Sequence, residues 1–272
     1  MSRLDVRKTY KLYIGGEFPR SESGRSYPAR DSDGEIVARV AQGSRKDLRE
    51  AVRHARNAQP AWAARTGYNR GQILYRVAEM IEDRFETFVS QVQISDPDRR
   101  RARREVTESI DTLVWYAGWA DKFAQIYGNL NPVSGPFFNI SAPEPTGVVG
   151  VVASDDSALL GLVSRLAAVL VPGNTAVVLA SESRPMPAVT LAEVLETSDV
   201  PGGVVNILTG STDELVPWLA DHMDVNAIDA AGATPEQRQR IQEGSVHNVK
   251  RIVDGDVTLR SPYVIAGFTE TK

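Results

Sequence analysis

The 272-residue sequence contains no cysteine. These residues therefore form no disulfide, offer no thiolate to a metal ion and supply no cysteine nucleophile. Histidine is scarce as well, and His54, His222 and His247 show none of the short spacings typical of a metal site. We predict no metal site, and we interpret the three histidines as surface or packing residues.

The sequence also lacks an excess of positive charge and a long apolar run. Its net charge is −4, so no general basic surface is available and we expect no nucleic-acid partner. The most apolar segment, residues 158–171, is interrupted by Arg165 and is too short to span a membrane. The first residues contain no apolar core of signal-peptide length. We therefore expect a cytoplasmic protein without membrane contact.

Positive charge is concentrated in one place. The run consists of Arg99, Arg100, Arg101, Arg103 and Arg104. It is interpreted either as the solvated start of a helix or as a docking patch for an acidic surface, and the spacing alone does not separate these two alternatives.

From Gly147 onward, short apolar runs alternate with helical patterns. Strands are predicted at residues 148–153, 175–180, 204–208, 225–228 and 249–253. Helices are predicted at residues 157–171, 187–197, 213–222 and 235–243, with Pro217 expected to delay or kink the third of them. Such alternation favours an α/β fold with a parallel sheet and helices on its faces.

The residues before Gly147 follow a different pattern. The pair Gly15-Gly16 between two short apolar runs predicts a hairpin. Three helices are predicted next, the first with a capping box of Ser44 and Asp47 and the second as one helix through residues 74–88. Prolines and glycines in residues 129–147 then indicate a connector and an extended arm.

Several motifs resemble the aldehyde dehydrogenase superfamily in order and spacing. They include "LYIGGEF", "YAGWADK", "EPTGVVGVV", "PGNTAVVL", "PGGVVNILTG" and "DHMDVNAI". The resemblance implies a Rossmann-like NAD(P) domain, a catalytic domain and a bridging β-arm for oligomerisation. It extends from about Leu12 to about Ile228, and the chain is about half as long as the family implies.

The resemblance divides the chain into four expected parts. Residues 1–133 would be the hairpin and helical part of the NAD-type domain, and residues 134–146 a partial bridging arm. Residues 147–254 would be its Rossmann-like part, and residues 255–272 a C-terminal strand, at 263–266, with a polar tail. The catalytic domain, which holds the family's cysteine nucleophile, is expected to be absent.

The resemblance also marks a cofactor crevice in the turns that follow the strands. Its candidate residues are Ala153, Ser154, Asp155, Glu182, Gly210 and Ala230. In the family, an asparagine of the first turn helps to stabilise an oxyanion, and Asp156 stands in its place here. Since a carboxylate repels developing negative charge, we predict no catalytic residue in this chain. The pair Asp155-Asp156 is interpreted as a turn or N-cap of the next helix.

Other substitutions in the crevice affect the expected cofactor. The strand ending "VVLASES" has no lysine, so that Glu182 alone remains of the family's ribose-binding pair. Asp229 lies near a predicted helix N-terminus, where its charge would oppose a pyrophosphate. We therefore expect no cofactor, with NAD or NADP bound weakly at most.

These features leave three hypotheses for function. The first is a non-catalytic accessory subunit that assembles with a full-length aldehyde dehydrogenase, or with itself, through Phe137, Phe138 and Ile140 of the arm. An unpaired strand edge invites such pairing, although the arm could also fold back on its own chain. The second is the NAD(P)-binding half of a split aldehyde oxidoreductase. The third is a truncated product without function.

Overall fold

The N-terminal part begins with a small mixed sheet. The structure, a computed structural model, describes residues 8–272. Strands β1 (Thr9–Tyr10), β2 (Ser26–Arg30) and β3 (Ile36–Ala41) lie in the order β1-β3-β2. Between β1 and β2, Ile14 and Glu17 form an antiparallel bridge around Gly15-Gly16. Both glycines have positive φ angles, 68° and 85°, which explains why glycine occupies the predicted hairpin turn.

Five helices follow the small sheet. They are α1 (Arg45–Ala63), α2 (Gly67–Asp83), α3 (Phe85–Gln93), α4 (Arg99–Trp119) and α5 (Phe123–Tyr127). The predicted capping box is present at the start of α1: Ser44 Oγ accepts the Asp47 amide at 3.3 Å, and Asp47 Oδ2 accepts the Ser44 amide at 2.8 Å.

The prediction of one helix through residues 74–88 was wrong. The chain leaves helical geometry at Arg84, which has φ −102° and ψ 23° and separates α2 from α3. Ile81 of α2 and Phe88 of α3 are both fully buried in the same core. The apolar spacing therefore continues across the break, and no proline or glycine marks it.

A connector leads to the main sheet. Strands β4 (Asn129–Leu130) and β5 (Ile140–Ser141) pair antiparallel, and β6 (Pro143–Pro145) follows them. The main sheet and its helices are then β7 (Val148–Val152), α6 (Leu160–Leu170), β8 (Thr175–Leu179), α7 (Met186–Glu196), β9 (Val205–Leu208), α8 (Thr212–Asp221), β10 (Ala227–Asp229), α9 (Pro235–Ser245) and β11 (Arg251–Val253).

The main sheet confirms the predicted α/β architecture. Its five strands are parallel and lie in the order β11-β10-β7-β8-β9. All residues of β7 and β8 are buried, as expected for valine-rich strands covered by helices on both faces. The strand order reverses between β7 and β10, and α/β folds bind ligands beyond the carboxyl ends of strands at such a switch point.

Successive side chains of β7 point to opposite faces of the sheet and pack in two different core clusters. Val149 and Val151 pack in a cluster that includes buried residues of α2, α4, α6 and α7. Val148 and Val152 pack on the other face, with buried residues of α1 and α8. Among residues 8–272, no helix combines the length and the apolar character that a membrane span requires.

The C-terminal segment differs from its prediction. The strand expected at residues 263–266 is instead part of helix α10 (Pro262–Gly267), and β12 (Thr269–Thr271) follows within the expected polar tail. Ser261 Oγ accepts the Tyr263 amide at 3.2 Å, and Pro262 begins the helix. A serine cap followed by proline is a helix-start signal, which outweighed the short apolar run. Strand β12 pairs antiparallel with β6.

Candidate functional site

The carboxyl ends of the main-sheet strands form a crevice at one edge of the sheet. Because parallel strands end at the same edge, the turns after β7, β8, β9 and β10 lie together there. These turns contain the predicted residues Ala153, Ser154, Asp155, Glu182, Gly210 and Ala230.

At the switch point the backbone of one turn packs against that of another. A Cβ atom on Gly232 would lie 2.4 Å from the Val152 carbonyl oxygen and 2.5 Å from the Ser154 amide nitrogen. Glycine is therefore required for the turn after β10 to approach the end of β7 this closely. The sequence analysis did not single out Gly232, because the contact joins turns that are about 80 residues apart in the chain.

The pair Asp155-Asp156 does not cap the next helix, so that part of the sequence interpretation was wrong. In the loop before α6, it is the Ser157 hydroxyl that accepts an amide of the helix, that of Gly161 at 3.1 Å. The Ser181 hydroxyl instead donates a hydrogen bond to Asp155 Oδ1, which connects the turns after β7 and β8. Asp156 is exposed, and its amide donates to Ser154 Oγ at 3.1 Å.

The N-terminus of α6 is capped from another helix. Glu105 of α4 accepts the amides of Leu159 and Leu160 through Oε1, at 3.0 and 3.2 Å. A carboxylate at this position complements the positive end of the helix dipole. Sequence reasoning missed Glu105 because no local pattern relates it to a helix that begins more than 50 residues later.

Glu182 lies at the end of β8, the second strand of the main sheet in chain order. Its exposed carboxylate accepts the Thr212 amide at 3.1 Å, at the start of α8. Gln237 of α9 donates to Thr212 Oγ1 at 2.9 Å and to Asp213 Oδ1 at 2.7 Å, which connects the starts of α8 and α9. One oxygen of Glu182, Oε1, has no hydrogen bond within residues 8–272. In dinucleotide-binding folds, an acidic residue in this region binds a ribose hydroxyl.

Asp229, predicted to repel a pyrophosphate, is neutralised. Its side chain is fully buried and pairs with the buried Arg165 through hydrogen bonds of 2.5 and 2.9 Å. Burial raises the pKa of Asp229 above its ordinary value, and the positive charge of Arg165 opposes that rise. Asp229 Oδ1 also accepts the Ala231 amide at 3.1 Å, so the carboxylate holds the crevice turn in place.

Tyr27 of β2 adds a polar atom that sequence reasoning did not find. Its hydroxyl oxygen is buried and has no hydrogen-bond partner among the residues that the structure describes. Burial raises the pKa of Tyr27, and the nearby charges of Glu182 and Asp155 raise it further, whereas the adjacent Gly210 backbone lowers it. The charges of two predicted crevice residues therefore act on this hydroxyl.

Residues 8–272 contain no group of three or more histidine, cysteine, aspartate or glutamate side chains placed to hold a metal ion. His54 packs against the tight turn of the hairpin, since a Cβ on Gly15 would lie 2.6 Å from its Nδ1. His222 Nδ1 accepts the Asp224 amide at 3.2 Å, and burial lowers the pKa of this histidine.

The basic run forms the first turns of α4. Asp98 caps this helix by accepting the amides of Arg100 and Arg101. Arg99 and Arg103 form ion pairs with Glu86 of α3, and Arg101 pairs with Asp96 and Asp98. These contacts favour the solvated helix start over a free docking patch.

The arm exposes large apolar side chains. Phe137, Phe138 and Ile140 are 76%, 77% and 56% exposed. Strand β5 of the arm pairs with β4 of the same chain, so the arm does fold back in part. The fold-back leaves these side chains uncovered within the described residues.

Comparison with known proteins identifies related sequences and folds. The profile of the aldehyde dehydrogenase family matches residues 20–254. Cytosolic 10-formyltetrahydrofolate dehydrogenase of Xenopus laevis is 31% identical over 97% of this chain and 30% of that protein. Mouse retinal dehydrogenase 2 is 31% identical over 96% of this chain and 51% of that protein. The chain thus spans about half the length, or less, of these relatives.

Solved structures share the fold. The NAD+ complex of aldehyde dehydrogenase from Bacillus cereus superposes with a TM-score of 0.84 at 24% identity, over 91% of this chain and 50% of that one. The main sheet therefore has the Rossmann-like fold of that NAD+ complex. The expectation of no cofactor was wrong, because this NAD-binding fold and the family match both point to a nicotinamide cofactor. The burial of Asp229 against Arg165 removes one physical reason for that expectation.

Proposed function

This chain belongs to the aldehyde dehydrogenase family, and we propose on that basis that its switch-point crevice binds a nicotinamide adenine dinucleotide for aldehyde oxidation. The position of Glu182 at the end of the second strand, with one carboxylate oxygen unused, carries the proposal. Ribose hydroxyls are the groups that such a carboxylate binds in dinucleotide folds.

The crevice suits the other parts of a dinucleotide. The close backbone packing at Gly232 fixes the turn after β10 against the end of β7, and in dinucleotide folds the pyrophosphate lies at the turn that follows this first strand. The negative charge of Asp229 is balanced by its ion pair with Arg165. The buried Tyr27 hydroxyl adds a further polar group to this region. When bound, a nicotinamide cofactor accepts a hydride, and these residues would position it.

The nucleophile must come from elsewhere. In the family the aldehyde is attacked by a cysteine, and these 272 residues contain none. We therefore place the chain in an assembly in which residues outside this sequence supply the thiol, as in the NAD(P)-binding half of a split aldehyde oxidoreductase.

A second candidate is a non-catalytic subunit that assembles with a full-length aldehyde dehydrogenase. The exposed apolar arm at Phe137, Phe138 and Ile140 favours it, since large exposed apolar patches mark interaction sites. The two candidates differ in whether the dinucleotide bound by this chain takes part in turnover.

Calorimetric titration with NAD+ and NADP+ tests cofactor binding. We expect measurable binding by the wild type and about tenfold weaker binding by Glu182→Ala, because a hydrogen bond to a charged group contributes about 1.5–3 kcal/mol. Glu82→Ala removes an exposed carboxylate on α2, remote from the crevice turns in the chain, and should leave the affinity unchanged. Wild-type protein that binds neither dinucleotide would contradict the proposal.

Native mass spectrometry of the complex from the source cell separates the two candidates. The mass of the complex identifies the partner chain, and in that isolated complex Glu182→Ala should lower turnover if this chain is the dinucleotide-binding half. Unchanged turnover with the complex intact would favour the non-catalytic subunit.

A further inference from the structure

A pocket of about 340 Å³ lies between α1 and α8. Its lining includes Arg45, Leu48, Arg49, Trp218, His222 and Met223. None of these residues belongs to the turns that follow β7, β8, β9 and β10, so the pocket is separate from the crevice. Its volume is at the lower end of the range of small-molecule sites, about 300–1,000 Å³, which suits a ligand of one or two rings.

The apolar part of the pocket favours a flat ring. Leu48 is buried, whereas Trp218 and Met223 are large apolar side chains that remain exposed. Aromatic rings pack favourably against an indole and against a thioether sulfur. A ligand with an aromatic body would therefore remove this apolar surface from water.

Arg45 is held over the tryptophan ring of the pocket. Its guanidinium carbon lies 4.0 Å from the centroid of the Trp218 ring. Such stacking uses the flat face of the guanidinium and leaves the N–H groups along its edge free to donate. Within residues 8–272, Arg45 forms no ion pair and donates no side-chain hydrogen bond. The stacked guanidinium is therefore positioned for an anion without being occupied by one of these residues.

Arg49 adds a second available guanidinium. It follows Arg45 by four residues, so both side chains lie on the same face of α1. Arg49 has no carboxylate partner among the described residues, whereas Arg53 in the next turn pairs with Glu50. Asp221, which also lines the pocket, is paired with Arg240. The negative charge of the pocket is thus balanced, and the two guanidinium groups remain for a ligand.

His222 contributes a neutral donor. Its Nδ1 accepts the Asp224 amide at 3.2 Å, which leaves the proton of the neutral ring on Nε2. Burial lowers the pKa of His222; the charge of Asp224 opposes this shift, and the charges of Lys250 and Arg56 add to it. The ring therefore stays neutral near pH 7, and its Nε2–H is a donor that suits an anionic oxygen.

We propose that this pocket binds a small aromatic carboxylate, with its ring beside Trp218 and Met223 and its carboxylate at Arg45 and Arg49. A planar carboxylate matches the edge of a guanidinium, with which it forms paired charge-assisted hydrogen bonds. A cation would meet two charges of its own sign, and a neutral ring would leave the guanidinium groups unused. Since no crevice residue takes part, this ligand would bind independently of the dinucleotide.

The tryptophan in the pocket provides a direct test. The protein has four tryptophans, so isotope labelling gives four indole N–H signals in an NMR spectrum, and Trp218→Phe identifies the signal of Trp218. The probes are 2-naphthoate, the uncharged 2-naphthamide and acetate. We expect 2-naphthoate to shift the Trp218 signal and to bind at least about tenfold more tightly than either other probe, which corresponds to about 1.4 kcal/mol.

Variants of the pocket should remove the preference for the carboxylate. Arg45→Gln and Arg49→Gln should each reduce the ratio of the 2-naphthoate and 2-naphthamide affinities to within about threefold, because glutamine carries no positive charge. Arg53→Gln is the matched control, since Arg53 is exposed on the same helix but does not line the pocket. It should keep the full ratio. Thermal unfolding of each variant would show that the fold is retained.

Four results would overturn the proposal. They are the absence of a Trp218 shift at about 10 mM 2-naphthoate, equal binding of 2-naphthamide, an unchanged ratio in both pocket variants, and displacement of 2-naphthoate by saturating NAD+. The last result would place the probe in the crevice. Tighter binding of 2-naphthyl phosphate, by more than about tenfold, would overturn the assignment to carboxylates. Failure of NAD+ to bind would contradict only the proposed function, because 2-naphthoate needs no crevice residue.

Discussion

The main sheet and the arm differ in how much of their apolar surface is buried within this chain. In β7 and β8 every residue is buried, and the surrounding helices cover both faces. In the arm, β5 pairs with β4 over only two residues, and Phe137 and Phe138 remain about three-quarters exposed. A short two-stranded unit without a covered apolar face is marginal alone. The sheet is thus stabilised within this chain, whereas the arm has apolar surface available for another protein.

The largest effect should come from the buried ion pair that joins the sheet to the crevice. Asp229→Asn keeps the shape of the side chain but leaves the Arg165 charge buried and uncompensated. Breaking such a pair costs about 3–5 kcal/mol, so chemical denaturation should show a large loss of unfolding free energy.

A surface pair and a double variant serve as controls for this prediction. Glu214→Gln breaks the exposed pair with Arg25 and should change the unfolding free energy by about 0–1 kcal/mol. Replacing both buried partners by apolar residues, Arg165→Met with Asp229→Leu, should recover most of the stability. A small effect of Asp229→Asn would show that the pair does not hold the turn.

The second effect concerns the close approach of two turns at the switch point. Gly232→Ala places a Cβ 2.4 Å from the Val152 carbonyl oxygen, which is too close for two non-bonded atoms. We expect a loss of about 1–3 kcal/mol in unfolding free energy, because the backbone must shift to relieve the overlap. The same shift should weaken dinucleotide binding.

Gly118→Ala is a control for which we expect the opposite change in stability. Gly118 lies inside α4, and a Cβ there would meet no atom within 4 Å. Alanine should therefore stabilise the helix by about 0.5–1 kcal/mol. If both replacements change the stability in the same direction, the packing argument at Gly232 is wrong.

The sheet was also the part that the sequence predicts best. Its strands are valine-rich runs between turn signals, and their order along the chain needs no long-range information. The capping box of Ser44 and Asp47 is likewise local. The break at Arg84 was missed because the apolar face of α2 and α3 continues across it.

The sequence analysis predicted the position of the crevice correctly, but it did not predict which of its charged groups are paired. Its residues follow the strands, so their place at the sheet edge could be inferred. The charge of Asp229 was misjudged because its partner Arg165 lies 64 residues earlier in the chain. Glu105 and Tyr27 reach the crevice region from other elements, and no sequence spacing reports such contacts. One reason for expecting no cofactor, the charge of Asp229, does not hold because of this pairing.

Replacements in the arm should have the smallest effect on the unfolding free energy. The same replacements should have the largest effect on assembly with a partner. Replacing Phe137 and Phe138 by serine removes side chains that are already exposed, so the unfolding free energy should change by no more than about 0.5 kcal/mol. The same variant should lose its partner in native mass spectrometry, because apolar surface drives association. Tyr68→Ser, an exposed aromatic residue on α2, is the control that should keep the partner. If the variant keeps its partner, or if it unfolds, the arm stabilises its own chain and does not hold a partner.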